Sequence, residues 1–252
     1  MRVLSSLVRQ GIGLLGMAIV APLFAVGCLF LPPRSWRIRF CNFFGHVMGR
    51  FVVWITGCTV AGDPALAMNA AMPAIYISNH TSPLDIFLGI WLSPYGTCGV
   101  AKKEVVYYPF FGQLYLLSGH LRIDRGNRER AVEAMREIAE IVGSKRLGIW
   151  IWPEGTRSRD GRLRAFKKGF AHMALATGLP VVPVVIGGAH RIWRKNSLML
   201  HPGPVTVTVL PAIDTKNWTL ETIDDHIAFV HHIVNDALPE EQRTDPLAVA
   251  AK

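Results

Sequence analysis

Residues 11–33 carry no charged side chain, and residues 11–31 as one helix would extend about as far as the ~30 Å hydrocarbon core of a bilayer. A second apolar stretch, 40–62, is interrupted by His46 and Arg50, and Pro32-Pro33 break the two apart. This pattern fits a single span, or a shallow hairpin of two helices lying in one leaflet. A cleaved leader fits less well, because the apolar run continues past the small residues Ala25-Val26-Gly27-Cys28. The GxGxxG spelled by residues 11–16 follows no strand and precedes no acidic residue at the dinucleotide-site spacing. It reads as small-residue packing within a helix.

After Asp63 the pattern alternates between strand and helix signals. Residues 74–78 read as a buried strand and 85–92 as a helix. Residues 128–142 have helical periodicity, with Asn127 as cap, Gly143 as stop, and a stripe of Ala131, Val132, Met135, Ile138, Ala139 and Val142. Residues 147–152 form a further buried strand, and 166–177 a helix stopped by Gly178 and Pro180. Strands follow at 181–186 and 205–210, the second alternating cleanly. A last helix starts near Leu220 with Ile223, Ile227, Val230, Val234 and Leu238 on one face, and 239–252 read as a solvated tail. The order predicts an α/β domain over 63–252, with a mostly buried central sheet flanked by helices. An N-terminal membrane-associating helical segment, 1–62, precedes it.

Charge sharpens this division. The 252 residues carry a formal +9, and residues 1–62 hold six Arg (2, 9, 34, 37, 39, 50) with no Asp or Glu. A basic, apolar first quarter points to an anionic membrane surface, not to nucleic acid. Three Arg soon after the apolar run against two before it favour a cytoplasmic C-terminal side. Cys28, Cys41, Cys58 and Cys98 contain no CxxC pair. They read as reduced, mostly buried thiols and not as a zinc site or a disulfide framework.

The first chemistry-bearing stretch is Asn79-His80-Thr81-Ser82-Pro83-Leu84-Asp85. Ser82 suits an N-cap and Pro83 the first helical position, which puts Asp85 at N3, able to reach back over the helix start toward His80. An imidazole held by a carboxylate is a general base for an alcohol. The chain has no GxSxG elbow, so the attacking hydroxyl is expected to belong to the substrate. Trp152-Pro153-Glu154-Gly155-Thr156-Arg157-Ser158 follows a buried strand. Residues 157–168 carry six basic side chains against Asp160 alone. Arg forks, with Gly155 and Thr156 beside them, suit phosphate oxygens. A third group, Gly119-His120-Leu121-Arg122-Ile123-Asp124-Arg125, would place Arg122 and Arg125 on opposite faces of a regular strand. The basic pair Lys102-Lys103 and the turn Pro109-Phe110-Phe111-Gly112 lie between, the latter suited to border an acyl chain. His226, His231 and His232 lack metal spacing, and His190, His201 and Cys98 have no catalytic partner nearby in the sequence.

The ordered set NHx4D, PFFGQ, GxLxIDR, PEGTRS, FKKG and VPVVI resembles the glycerolipid acyltransferase family over about residues 70–215. The resemblance implies transfer of a fatty acyl group from acyl-CoA or acyl carrier protein to the free hydroxyl of lysophosphatidic acid, at a cytoplasmic membrane with the site facing the cytoplasm. It implies no cofactor and no metal. Carried onto this chain, His80 is the base and Asp85 its orienting acid. Arg125, Glu154, Gly155, Thr156 and Arg157 hold the acceptor, with Lys103 and Lys168 as further substrate contacts, and Pro183 is structural. Trp152 stands where the family usually has Phe, and Arg122 where it is usually apolar. Another lysolipid as acceptor, such as a lyso-ornithine lipid, and a non-catalytic membrane-binding module are the competing readings.

Overall fold

The structure is a computed structural model and describes residues 2–124, 126 and 128–244. Two helices come first, α1 (Arg2–Leu29) and α2 (Arg34–Ile55), folded back on each other at Pro32-Pro33. There follow β1 (Cys58–Ala61), α3 (Pro64–Ala70), β2 (Ile75–Ser78), α4 (Leu84–Leu92), β3 (Thr97–Lys102), α5 (Phe111–Leu117), β4 (Leu121–Ile123) and α6 (Arg128–Lys145). The chain continues with β5 (Gly148–Ile151), α7 (Gly169–Thr177), β6 (Val181–Gly187), α8 (Ala189–Ile192), β7 (Gly203–Val209) and α9 (Ile223–Ala237).

The strands form one sheet in the order β1-β7-β6-β2-β5-β3-β4, parallel at every pairing except β6 with β7. Central strands covered on both faces need apolar side chains throughout, and β2, β5 and β6 are buried along their whole length. The two-residue alternation sorts them between two cores. Ile75, Ile77 and Ile149 face α6, α7 and α9 through Ile138, Phe170 and Val230. Tyr76, Trp150 and Val182 face α4 and α2 through Leu84, Leu88 and Val53.

The crossing of α2 over α4 depends on two glycines. A Cβ on Gly49 would lie 2.6 Å from the Phe87 carbonyl oxygen, and one on Gly45 would lie 3.1 Å from that of Ile90. Small residues four apart let two helix backbones approach this closely.

Helix α1 presents Leu4, Leu7, Leu15, Ile19 and Leu23 outward, more than half exposed apart from Leu7, and is long and apolar enough to cross a membrane. Its inner side is tied to the α/β domain along its length. Near the start, Gln10 Nε2 donates to the Leu198 carbonyl at 2.7 Å, and Ser6 Oγ accepts from the Leu200 N–H at 3.1 Å. Further along, Met17 and Ala21 join a core with Phe44 of α2 and Leu114 of α5.

Several boundaries differ from the sequence reading. Packing crosses the 62/63 division drawn from composition, since α2 lies on α4 and residues 58–61 are an edge strand of the sheet. Gly143 does not stop α6, which runs to Lys145 and is closed by Arg146 in the left-handed region (φ 50°). Helix α7 starts at Gly169, not at 166, because the preceding loop is held out of the helix at the site described below. The supposed tail is anchored through residue 244. Gln242 is fully buried, its carbonyl accepting from the Leu163 N–H at 2.8 Å and its side chain from the Gly188 N–H at 2.6 Å. Asn127, expected to cap α6, lies outside the described residues. All four cysteines are free and buried.

Candidate active site

Strands β2 and β5 are parallel neighbours with Ile77 opposite Ile151, and β3 lies on the far side of β5. Their carboxyl ends therefore release residues 79–85, 152–158 and Lys102 along one edge of the sheet, where ligands of open α/β sheets bind. Asn79 fixes the first loop, exchanging two 2.8 Å hydrogen bonds with the backbone of Ile186 on β6.

The helix start behaves as its sequence predicts. Asp85 Oδ2 accepts from the Ser82 N–H at 2.8 Å, as in a capping box, while Ser82 Oγ accepts from the N2 N–H of Leu84 at 3.0 Å and not from that of Asp85. The same carboxylate oxygen accepts from the Thr81 N–H at 2.6 Å and lies 3.0 Å from His80 Nδ1. Asp85 is fully buried. With Nδ1 engaged, Nε2 is the ring nitrogen available to take a proton. The imidazole lies against the Trp152 indole, centroids 5.0 Å apart and planes 27° from parallel.

Glu154 turns its carboxyl onto the backbone. Its Oε1 accepts from the His80 N–H at 2.5 Å and its Oε2 from the Arg164 N–H at 3.1 Å, while the Ser158 N–H donates to the His80 carbonyl at 2.9 Å. The 152–164 loop is thus wrapped around the backbone of His80, which keeps 162–167 out of the helix. Burial pushes the Glu154 carboxyl up to about 8, opposed by the two N–H donors and reinforced by the charge of Asp85. A carboxyl raised in the folded state stabilises the fold fully below its unfolded value of 4.5, and this contribution is lost as pH rises through about 8. Thermal melts from pH 4.5 upward should show the decline in the wild type and lose that component in Glu154→Gln. The variant also starts lower by about 1–3 kcal/mol, because an amide cannot accept from both N–H groups. A decline that persists in the variant would remove Glu154 as its source.

His80 opens onto a cavity of about 440 Å³ lined by Trp152, Gly155, Thr156, Arg157, Lys102 and Lys195 among others. Gly155 has φ +71°, and a Cβ there would meet the Lys167 side chain at 3.1 Å, so the turn needs glycine. Lys195 Nζ donates to the Arg157 carbonyl at 2.8 Å. Burial, and then the charges of Arg159, Arg157, Arg164 and Lys102, push its ammonium down from the ordinary value. Lys102, Arg157 and Lys195 line the cavity with Glu104 as its one acidic side chain among the described residues, a net positive site for a multiply charged anion. A second cavity of about 120 Å³ shares Ile86, Val100, Ala101, Val105 and Trp152 with the first and continues between α2, α4, β3 and α5. Apolar side chains, among them Phe44, Phe111 and Leu114, form most of its walls.

Of the sequence-predicted residues, His80, Asp85, Glu154, Gly155, Thr156 and Arg157 come together. Lys103 does not. It pairs with Asp124 at 2.9 Å, and Lys102 takes the place at the cavity because the strand ends with that residue and the chain turns away after it. Lys168 pairs with Asp224 of α9 at 2.7 Å, away from the cavity. Arg122 is exposed, and Arg125 lies outside the described residues. Lys195 was missed. It sits in an ordinary basic run after α8 and reaches the site only because the loop folds back onto Arg157.

A family model described as acyltransferase matches residues 64–187. The 1-acyl-sn-glycerol-3-phosphate acyltransferase of Limnanthes douglasii is 46% identical over 215 residues, 85% of this chain and 76% of that protein. The protein of the same name from Escherichia coli K12 is 34% identical over 216 residues, 86% of each chain. In fold, the chain matches the crystal structure of a 1-acyl-sn-glycerophosphate acyltransferase from Thermotoga maritima with a TM-score of 0.74. The match spans 93% of this chain and 94% of that one at 22% identity.

Proposed function

The chain belongs to the 1-acyl-sn-glycerol-3-phosphate acyltransferase family, and on that premise we propose His80 as the base that turns lysophosphatidic acid into phosphatidic acid. The observation that carries this is the 3.0 Å contact of His80 Nδ1 with a buried Asp85, which leaves Nε2 facing a cationic cavity. The free hydroxyl of the acceptor attacks the thioester carbonyl as Nε2 takes its proton. The C–S bond then breaks, and the imidazolium returns the proton to the leaving thiolate. Asp85 holds the ring and stabilises its cation. Among the described residues neither Ser nor Cys lines the cavity and Thr156 is its one aliphatic hydroxyl, which favours direct transfer without an acyl-enzyme.

Arg157, Lys195 and Lys102 bind the acceptor phosphate. The further basic residues Arg159, Arg162 and Arg164 suit the phosphate-bearing arm common to coenzyme A and acyl carrier protein. The donor chain enters the apolar cavity beyond Trp152. Because α1 is tied to the α/β domain near both ends, its exposed apolar face lies along one leaflet of the cytoplasmic membrane, with the site opening on the cytoplasmic side.

Purified protein should release thiol from an acyl thioester only when lysophosphatidic acid is present. Release without an acceptor would instead indicate a thioesterase. Arg157→Ala and Lys195→Ala should each raise the acceptor KM about tenfold or more, the value of a charge-assisted hydrogen bond, with kcat little changed. Reduced kcat at unchanged KM would give these side chains a transition-state role.

A further inference from the structure

The glycines of α1 do not share one job. Gly16 is packed as expected, a Cβ there lying 2.6 Å from the Phe51 ring. Gly11 and Gly13 are not, and a Cβ on either would meet nothing within 4 Å. They hollow out one wall of a separate cavity of about 330 Å³, closed by Met17, Val52, Ile55, Phe87 and Trp193. Arg9, Gln10 and Thr56 form its polar rim. The helix is pinned on both sides of the gap, by Ser6 and Gln10 before it and by Met17 and Ala21 after it, so the space is held open by the fold.

The walls of an apolar cavity gain dispersion contacts from whatever fills it, and beneath a lipid-facing helix the available filler is an acyl chain. The rim selects the amphiphile. The Arg9 guanidinium spends one long contact, 3.4 Å, on the Thr56 carbonyl, and a guanidinium has five donors. No Asp or Glu occurs in residues 1–62 to compete for it. We propose that this groove seats one acyl chain of an anionic diacyl glycerophospholipid of the membrane, with the lipid phosphate on Arg9. The site lies on the Phe87 side of α4 and is distinct from the catalytic cavity on the Ile86 side. It needs α1 at a bilayer, as proposed above, but not the acyl-transfer chemistry.

The test uses the full chain in vesicles containing phosphatidylglycerol with a diazirine at the end of one acyl chain, with labelled residues mapped by mass spectrometry. Label is expected on Met17 and Trp193 as well as on the outward Leu15 and Ile19. Gly11→Leu and Gly13→Leu should each lower the cavity label about tenfold, the equivalent of roughly two buried methylenes, and leave the outer label unchanged. Unlabelled phosphatidylglycerol should displace the cavity label better than diacylglycerol, and Arg9→Gln should abolish that difference. Equal cavity label in the glycine variants, or diacylglycerol competing as well in the wild type, would overturn the proposal. Displacement by lysophosphatidic acid but not by phosphatidylglycerol would overturn it too, assigning the groove to the acceptor. Label absent from the cavity alone refutes this site, whereas label absent from both faces refutes the membrane placement with it.

Discussion

His80→Ala should lower the rate of acyl transfer by about 10²–10⁴-fold, the usual contribution of a positioned base, while the protein folds and binds its acceptor as before. The geometry separates these effects. Removing the imidazole leaves Asp85 Oδ2 still accepting from the Thr81 and Ser82 N–H groups, so the turn and the helix cap persist. The backbone N–H of residue 80 still reaches Glu154, and the 152–164 loop keeps its seat. The loss should therefore fall on kcat, with the acceptor KM and the melting temperature close to wild type. Asp85→Ala differs. It strands two buried N–H donors, each at about 1–3 kcal/mol, so activity and stability fall together. Single-turnover thiol release and thermal melts on both variants check the contrast. Wild-type kcat in His80→Ala would remove the residue from the chemistry.

The contrast also marks how far the sequence could be read. The His80–Asp85 contact was legible because it is local. A helix cap fixes the carboxylate three residues into the helix, and the imidazole lies two residues before the cap, so no distant segment is needed. The central strands were legible for a similar reason, since runs such as residues 75–78 and 148–151 are buried at every position, as a doubly covered sheet requires, whereas β1 and β3 were not read as strands.

What was not legible depends on register and on loops. Glu154 read as a ligand-side residue because it lies among Gly155, Thr156 and Arg157. Only the pairing of β2 with β5 shows that its carboxylate meets the backbone of His80 instead. Turned onto two N–H donors and held protonated up to about pH 8, the carboxyl sets no negative charge against an anion in the cavity. The choice between Lys102 and Lys103 turns on where β3 ends, a one-residue question that composition cannot decide. Lys195 is further out of reach, since its place rests on a contact between residues 38 apart in sequence. Gln242 likewise looks like part of a polar tail until its side chain is found on Gly188.

Filling the apolar cavity should change which donors the enzyme accepts. Gly99 faces that cavity from β3, and a Cβ there would meet only the Tyr115 hydroxyl, at 3.6 Å, an ordinary contact. Gly99→Leu can therefore enter without displacing backbone, and its branched end occupies space the donor chain would otherwise use. A leucine side chain brings four carbons into the cavity and so takes the place of about four methylenes of the donor chain. At about 0.8 kcal/mol for each methylene kept from burial, four amount to roughly 3 kcal/mol, or about 10²-fold in kcat/KM. The ratio of kcat/KM for a long-chain donor to that for one about four carbons shorter should fall by about this factor. The rate with the shorter donor should hold, because His80, Asp85 and the cationic cavity are untouched. Competition between the two thioesters in one reaction, with products separated by mass, reads the ratio directly. An unchanged ratio in a folded variant would place the donor chain elsewhere. An equal loss with both donors would mean that Gly99→Leu disturbs the catalytic loop instead of shortening the pocket.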